Sequence, residues 1–244
     1  ASEQLALTDD DQRDWEWVYL NSETDQSVFQ WTIGDAPTSI AVFNTGDSVV
    51  VSAADGRVII LDFKSKSSTN IYMPNKVQVI SVSHDDNEII LGTKEGELAV
   101  VDIAEKTLLT KEIDLSPFHA LVKLQDGRML SGHADGTVIL WSSDNEILRT
   151  VADLDSLVTN ISWNESLQLA IVGLANGNVY AVSLTEQKPS FVGTQRANVT
   201  GLLFIDDQAF ATSGGNTVKL WDLQTGRQVG SFTTTQGEPM DLEV

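Results

Sequence analysis

Three features of the 244-residue sequence predict an all-β fold of repeated sheets. A two-residue turn recurs, with glycines at Gly56, Gly96, Gly136, Gly177 and Gly215 that lie 40, 40, 41 and 38 residues apart. An apolar segment with the composition of a strand follows each turn. No segment of useful length has helical periodicity. A repeat of about 40 residues containing four short strands is typical of one blade of a β-propeller.

The residues of the recurring turn explain its position in the blade. Asp55, Glu95, Asp135 and Asn176 each precede a turn glycine, and the fifth turn is the degenerate Gly215-Asn216. A two-residue hairpin needs positive φ angles, which Gly, Asn and Asp adopt at the lowest cost. Each turn is therefore predicted to join the second strand of a blade to its third.

Each predicted blade contains four segments, strands a to d, that are rich in Val, Ile, Leu and Thr and bounded by turn residues. The first blade (38–73) has strands at 39–43, 48–53, 57–63 and 70–73, and the second (77–113) at 77–82, 88–93, 97–103 and 107–113. The third (118–152) has strands at 118–124, 128–132, 137–143 and 146–152, and the fourth (157–193) at 157–163, 167–173, 178–184 and 189–193. The fifth (198–232) has strands at 199–205, 208–214, 217–223 and 227–232.

The two ends of the chain are predicted to form one further blade together. Residues 4–8, 15–21 and 27–33 resemble strands b, c and d, and 238–244 resembles a strand a. Continuing the period beyond Asn216 passes the last residue and returns to about residue 12. We expect a single domain over 1–244, a six-bladed propeller of four-stranded antiparallel blades closed by a blade shared between 1–33 and 238–244. A seven-bladed ring is the alternative.

The composition limits the classes of partner. A net charge of −20, from 35 acidic and 15 basic residues, repels nucleic-acid phosphates and anionic membranes. We expect a protein or peptide partner of basic character, no direct nucleic-acid binding and no membrane binding. A solvated acidic shell is the other interpretation of the charge. The absence of cysteine excludes disulfides and thiolate metal sites and favours a reducing compartment, so a cytoplasmic location is expected.

Two segments, 130–151 and 211–232, resemble WD-repeats, a family that ends strand c with Trp-Asp after a Ser-Gly-x-x-Asp-Gly-Thr stretch. Trp221 and Asp222 match the end of that pattern, and Ser131 and Trp141 match the other segment, so all four are expected to be structural. The family often places a Gly-His pair before strand a, and this His joins a buried network with Ser, Asp and Trp. No histidine lies there in this sequence. We therefore expect Ser131, Asp135 and Trp141 to keep part of the network without a His.

The sequence predicts a binding function and not an enzyme. It contains no recognisable nucleophile motif and no phosphate-binding loop, and no metal or cofactor is expected. The resemblance implies a non-catalytic protein–protein interaction scaffold in a complex, either a monomeric domain or a module of a larger chain, whose partner docks on the d–a and b–c loops. The residues expected to contact the partner are Asp55, Lys76, Lys94, Phe118, His119, His133, Asp135, Asn176 and Asn198. The alternative is a small-molecule or sugar-binding propeller, including an enzymatic one.

Overall fold

The computed structural model describes residues 30–233, apart from residues 74, 106, 112, 114, 186 and 187. The chain divides into two compact units, residues 1–34 and 35–244. The described part of the first unit, residues 30–34, has no regular secondary structure. The closing blade predicted from 1–33 and 238–244 lies almost wholly outside the described residues, so it stays a prediction.

The described part of the second unit contains five four-stranded antiparallel sheets, each formed by consecutive strands, as the repeat predicts. We keep the letters a to d for the four strands of each sheet in chain order. The strands are β1 (Pro37–Val42), β2 (Ser48–Ala53), β3 (Arg57–Asp62) and β4 (Ser67–Tyr72) in sheet 1; β5 (Val77–Val82), β6 (Glu88–Thr93), β7 (Leu98–Asp102) and β8 (Thr107–Lys111) in sheet 2; β9 (Phe118–Lys123), β10 (Met129–His133), β11 (Thr137–Trp141) and β12 (Ile147–Asp153) in sheet 3; β13 (Val158–Asn164), β14 (Leu169–Leu174), β15 (Asn178–Ser183) and β16 (Ser190–Thr194) in sheet 4; and β17 (Gly201–Phe204), β18 (Ala209–Gly214), β19 (Thr217–Asp222) and β20 (Arg227–Thr233) in sheet 5.

The recurring glycines hold the b–c turns in a conformation that other residues adopt at a cost. Gly56, Gly96, Gly136 and Gly177 have φ angles of 92°, 84°, 93° and 86°. At Gly96 and Gly136 the chain that leaves strand d also passes over the turn, and an added Cβ would overlap the carbonyl oxygens of Leu115 and Leu154. The turn glycine therefore serves both the hairpin and the passage to the next sheet.

Successive sheets pack through strand a of one sheet against strand b of the sheet before it. A Cβ added to Gly132 in β10 would overlap Val158 in β13, and one added to Gly173 in β14 would overlap Val199 just before β17. Apolar clusters fill the space between sheets on either side of these contacts. Strand b of sheets 2, 3 and 4 is buried on both faces because a neighbouring sheet covers each side.

Acidic residues of the a–b turns link neighbouring sheets. The Asp86 carboxylate of sheet 2 accepts hydrogen bonds from the backbone N–H groups of Asn44 and Thr45 in sheet 1, at 2.8 and 3.0 Å. In the same way, Asp207 of sheet 5 accepts a bond from the hydroxyl of Ser166 in sheet 4 at 2.6 Å. Part of the negative charge therefore stabilises the packing of one sheet on the next.

Repetition of one strand order gives every sheet two distinct ends. The b–c end carries the b–c turn and the connection to the next sheet, and the a–b end carries the a–b and c–d turns. None of the described residues belongs to a helix with the length and hydropathy that crossing a membrane requires.

Candidate functional site

The inner strands of all five sheets line one cavity of about 530 Å³. Its walls come from strands β1, β5, β9 and β13 and from residues 198–200, which lead into β17. Each sheet contributes a polar side chain to this central cavity, and the five residues are of four types: Thr38, Gln78, His119, Asn160 and Thr200. A repeated architecture thus surrounds a space with unlike groups.

Hydrogen bonds between neighbouring inner strands hold the cavity wall. The Thr38 hydroxyl donates to the carbonyl oxygen of Val77 in the next sheet at 3.1 Å. In the orientation that satisfies both ends of its amide, the Asn160 side chain donates to the carbonyl oxygen of Val199 at 2.9 Å. These bonds join sheets 1 to 2 and 4 to 5, so part of the polar lining is fixed in position.

Two of the residues predicted to contact a partner, His119 and Asn198, line this cavity. Burial lowers the pKa of His119, and the positive charge of Lys94 lowers it further, so the imidazole is neutral at pH 7. Lys94 is exposed in the b–c turn of sheet 2, and its N–H group donates to the carbonyl oxygen of Lys76 at 3.1 Å. The fold therefore brings Lys76 and Lys94 together and places Lys94 within electrostatic reach of His119.

The predicted residues of the other b–c turns are exposed and shape their own turns. Asp55 forms an ion pair with Arg57 at 2.6 Å, and the hydrogen bond from Arg57 is the main cause of its lowered pKa. Burial would raise the pKa of Asp135, but hydrogen bonds from Thr137 outweigh it and hold the pKa below its usual value. Asn176 accepts the N–H group of residue 178 at 3.0 Å.

The structure contradicts the prediction that Phe118 and His133 contact a partner, because both side chains have 0% exposure. Phe118 is the first residue of β9 and packs against Gly92 of the preceding sheet. Its ring centroid lies 4.5 Å from that of His133 and 6.1 Å from that of Trp141. His133 was expected in the b–c loop, but it is the last residue of β10 and faces the core.

A buried hydrogen-bond network joins His133 to Trp141, which corrects the expectation that the network lacks a His. The indole N–H of Trp141 donates to the Ser131 hydroxyl oxygen at 2.8 Å, and that hydroxyl lies 2.7 Å from His133 Nε2. His133 Nδ1 lies 2.8 Å from the carbonyl oxygen of Ser116, which can only accept, so Nδ1 carries the proton. Burial lowers the pKa of His133 and so favours this neutral form. Asp135 was expected to join the network, but its bonds go to Thr137 instead.

A second buried network, which was not predicted, lies in sheet 5. The indole N–H of Trp221 donates to the Thr212 hydroxyl at 2.8 Å, and that hydroxyl donates to Gln195 Oε1 at 2.8 Å. The amide nitrogen of Gln195 donates to the carbonyl oxygen of Thr217 at 2.9 Å. Gln195 lies in the loop before β17, where the WD-repeat pattern places its His. The glycine-containing stretch before Gln195 was the signal in the sequence that could have identified this position.

The adjacent Asp222 stabilises the c–d turn of sheet 5. Its carboxylate accepts hydrogen bonds from the backbone N–H and the hydroxyl of Thr225, at 2.7 and 2.6 Å. Among the residues that the structure describes, no group of three or more His, Cys, Asp or Glu side chains is placed to hold a metal ion.

Comparison with known proteins identifies similar sequences and similar folds. Residues 186–222, which end at Asp222 of β19, match the family model "WD domain, G-beta repeat". The chain is 23% identical over 199 residues to the 66 kDa stress protein of Physarum polycephalum, covering 77% of this chain and 32% of that protein. It is 27% identical over 184 residues to the guanine nucleotide-binding protein subunit beta-1 of Caenorhabditis briggsae, covering 69% of this chain and 52% of that protein.

These relatives are longer than the chain, which spans about a third to a half of their length. Among solved structures, that of U3-55K superposes with a TM-score of 0.77 at 15% identity, covering 86% of this chain and 68% of that one. At this identity the superposition shows the shared fold alone. The matched repeat and the relatives make the chain similar to WD-repeat proteins, and the superposition shows that it shares their fold.

Proposed function

We propose that the chain is a non-catalytic interaction domain that presents its b–c end to a protein or peptide partner within a complex. The observation that carries this proposal is the central cavity, whose wall differs from sheet to sheet while its backbone repeats. A symmetric frame with unlike side chains offers a surface that fits one partner in one orientation. Exposed residues of the b–c turns and sheet connections, Asp55, Lys76, Lys94, Asp135, Asn176 and Asn198, would surround the docked segment.

The proposed architecture of this domain is a six-bladed ring, with seven blades as the alternative. Five sheets of one strand order and the continuation of the repeat into the acidic N-terminal segment support the sixth, shared blade. Deleting residues 238–244 should then increase amide hydrogen exchange in 4–8, the predicted neighbouring strand. Unchanged exchange there would contradict a blade made from both ends.

The proposed partner is basic, because the net charge of −20 attracts cationic segments and repels phosphate backbones. The b–c end itself carries both signs, since Lys76, Lys94, Asp55 and Asp135 all lie at the b–c ends of their sheets. Charge would speed the encounter and select the class of partner, while the shaped cavity would determine the docked orientation.

Capture from a native lysate with two matched double variants tests this placement. Lys94→Glu with Asn198→Lys exchanges the positions of positive charge at the b–c end and makes the net charge one unit more negative. Lys64→Glu with Gln224→Lys makes the same exchange at the a–b end. We expect the first double variant to recover at least about tenfold less partner and the second to recover as much as wild type. Equal recovery with both variants would overturn the placement.

The alternative function, binding of a small molecule or sugar, is supported by one observation. The volume of the central cavity lies within the roughly 300–1,000 Å³ of typical ligand pockets. However, His119 is the titratable side chain among its lining residues, and the converging carboxylates or Tyr that this function predicts are not among the described ones. The protein-docking function therefore has the better support.

A further inference from the structure

A second cavity, of about 430 Å³, lies between sheets 1 and 2 at the a–b end. Phe43, Ile60 and Ile71 of sheet 1 form one apolar wall, and Val101, Ile103 and Leu108 of sheet 2 form the other. Asp62 and Asp102, the last residues of the two c strands, add carboxylates to this inter-sheet cavity. The cavity is separate from the central one, whose walls are the a strands.

At the corresponding position, an exposed arginine bridges sheets 3 and 4. Arg149 of β12 donates through Nη2 to the carbonyl oxygen of Leu184 in sheet 4 at 2.6 Å. Arg149 pairs with the fourth residue after the turn glycine of sheet 3, and Thr69 has the same pairing in sheet 1. Leu184 and Ile103 each stand seven residues after the turn glycine of their sheets. Thr69 and Ile103 both line the inter-sheet cavity. The cavity therefore has the equivalent of the accepting residue Leu184, but it has Thr69 where sheet 3 has Arg149.

The space between sheets 2 and 3 contains a cation in a related position. The Lys111 ammonium donates to the carbonyl oxygen of Asn145 at 3.1 Å and forms an ion pair with Glu146 at 2.5 Å. Lys111 pairs with the second residue after its turn glycine, and Ile71 has that pairing in sheet 1. In sheets 2 and 3, a basic residue of strand d thus bonds to the next sheet. Sheet 1 has Thr69 and Ile71 at the two equivalent positions, so no basic side chain enters the inter-sheet cavity from them.

Smaller side chains also leave this space open. Trp163 and Tyr180 pack into the cluster between sheets 3 and 4. At the equivalent positions, sheet 2 has Val82, the last residue of its strand a, and Ala99, three residues after its turn glycine. The missing aromatic volume is consistent with a cavity between sheets 1 and 2 of a size that admits a side chain.

Two carboxylates make this cavity attractive to a cation. Asp62 Oδ1 accepts the N–H group of Ser65 at 2.7 Å, and Asp102 Oδ1 accepts that of Glu105 at 2.8 Å. These turn bonds fix both carboxylates at the mouth of the cavity. A guanidinium has five donors in a planar fork that suits carboxylate and carbonyl acceptors, and its aliphatic stem packs on apolar walls.

We propose that the inter-sheet cavity binds an arginine side chain of a partner polypeptide. The stem lies between Phe43 and Ile71, and the guanidinium takes the place that Arg149 occupies between sheets 3 and 4, near the backbone of Ile103 and the two carboxylates. The site goes beyond the proposed docking at the b–c end, because it lies at the opposite end of the sheets and would contact a different segment or a different partner.

Methyl NMR of the whole chain, titrated with the blocked peptide acetyl-Ala-Arg-Ala-amide, tests the proposal. We expect saturable shifts at the methyl groups of Ile60, Ile71 and Ile103. The same peptide with citrulline, a neutral analogue of arginine, should shift them at least about tenfold less, because the charge-assisted bonds are lost. Equal shifts with both peptides, or no saturable shift, would overturn the proposal.

Three variants make the result specific. Thr69→Arg supplies the chain's own guanidinium and should abolish the shifts. Ser68→Arg adds the same charge to the neighbouring residue, which does not line the cavity, and should bind the peptide like wild type. If Thr69→Arg fails to fold, Asp62→Asn with Asp102→Asn provides the test, with binding at least about tenfold weaker. Binding that survives Thr69→Arg in a folded protein, or this double variant, contradicts the site. The peptide assay needs no natural partner, so its outcome is independent of docking at the b–c end.

Discussion

At the scale of single residues, two tryptophans organise the buried polar groups of this protein. Trp141 and Trp221 each donate an indole N–H to a hydroxyl of strand b, and each hydroxyl continues to a third side chain, His133 or Gln195. Among the described buried side chains, every nitrogen and oxygen atom has a hydrogen-bond partner. Sheet 3 completes this arrangement with a histidine from strand b, and sheet 5 completes it with a glutamine from the loop before strand a.

Replacing Trp141 by Phe should destabilise the fold by about 1–3 kcal/mol, because the Ser131 hydroxyl loses its donor in a site without water access. The measurement is the free energy of unfolding in urea. Trp163→Phe is the matched control, since Trp163 is only half-buried and donates to Glu165 at 2.8 Å. We expect the control to cost under about 1 kcal/mol. Equal losses in both variants would show that the buried network adds nothing beyond packing.

His133 should make stability depend on pH in the window below about pH 7. Its pKa in the folded state lies below the unfolded value of about 6.5, so the unfolded chain binds more protons in this window. Stability is therefore full above about pH 7 and falls as the pH drops toward the folded pKa. His133→Gln keeps an amide donor and acceptor, as Gln195 does in sheet 5, and should weaken this dependence. The remainder comes from His119, whose pKa is also lowered. The same dependence on pH in wild type and in His133→Gln would contradict this role of His133.

Burial also explains which candidate residues could not be placed from the sequence. Asp55, Lys76, Lys94, Asp135, Asn176 and Asn198 are exposed, as turn composition indicates. For Phe118 and His133, the side chain's direction depends on the register of β9 and β10 and on the packing of Phe118 against Gly92. A one-residue change of register reverses the face of a side chain, so a pattern read to within one residue cannot decide burial.

At the scale of strands and sheets, a small residue in strand b sets the distance to the next sheet. Gly132 and Gly173 stand one residue before the end of β10 and β14, where Val158 and Val199 of the next sheet approach them. Strand order could be predicted from the period of the turns, because each glycine repeats in a fixed place. The contacts between sheets could be predicted only in part. Gly92, Gly132 and Gly173 each stand four residues before a turn glycine, but the sequence does not show that the residue 26 positions later packs on each of them.

Gly132→Ala should cost about 1–3 kcal/mol, because its new Cβ overlaps the Val158 side chain and the two sheets must separate. Urea unfolding measures the loss. The double variant Gly132→Ala with Val158→Ala is compared with the sum of the losses of the two single variants. Because Val158→Ala removes the overlapping methyl groups, the double variant should lose less free energy of unfolding than this sum. Strict additivity of the two single changes would contradict contact between these residues.

At the scale of the whole molecule, identical frames carry different side chains. Five sheets repeat one topology, while their inner strands present Thr, Gln, His, Asn and Thr to a common cavity. Some of the acidic residues have a structural role that composition alone did not reveal, since Asp86 and Asp207 accept hydrogen bonds from the preceding sheet. The proposed site between sheets 1 and 2 likewise could not be found from a count of charges. It is recognised by comparing equivalent positions of the sheets in three dimensions.

Hydrogen-exchange mass spectrometry with the recovered partner tests the proposed docking end most directly. The account predicts slower exchange on binding in the b–c turns, at 54–57, 94–97, 134–137 and 175–178, and in residues 198–200 beside the cavity. It also predicts unchanged exchange in the a–b turns of sheets 3 to 5, at 125–128, 165–168 and 205–208. Slower exchange confined to the a–b turns, with the b–c turns unaffected, would contradict it.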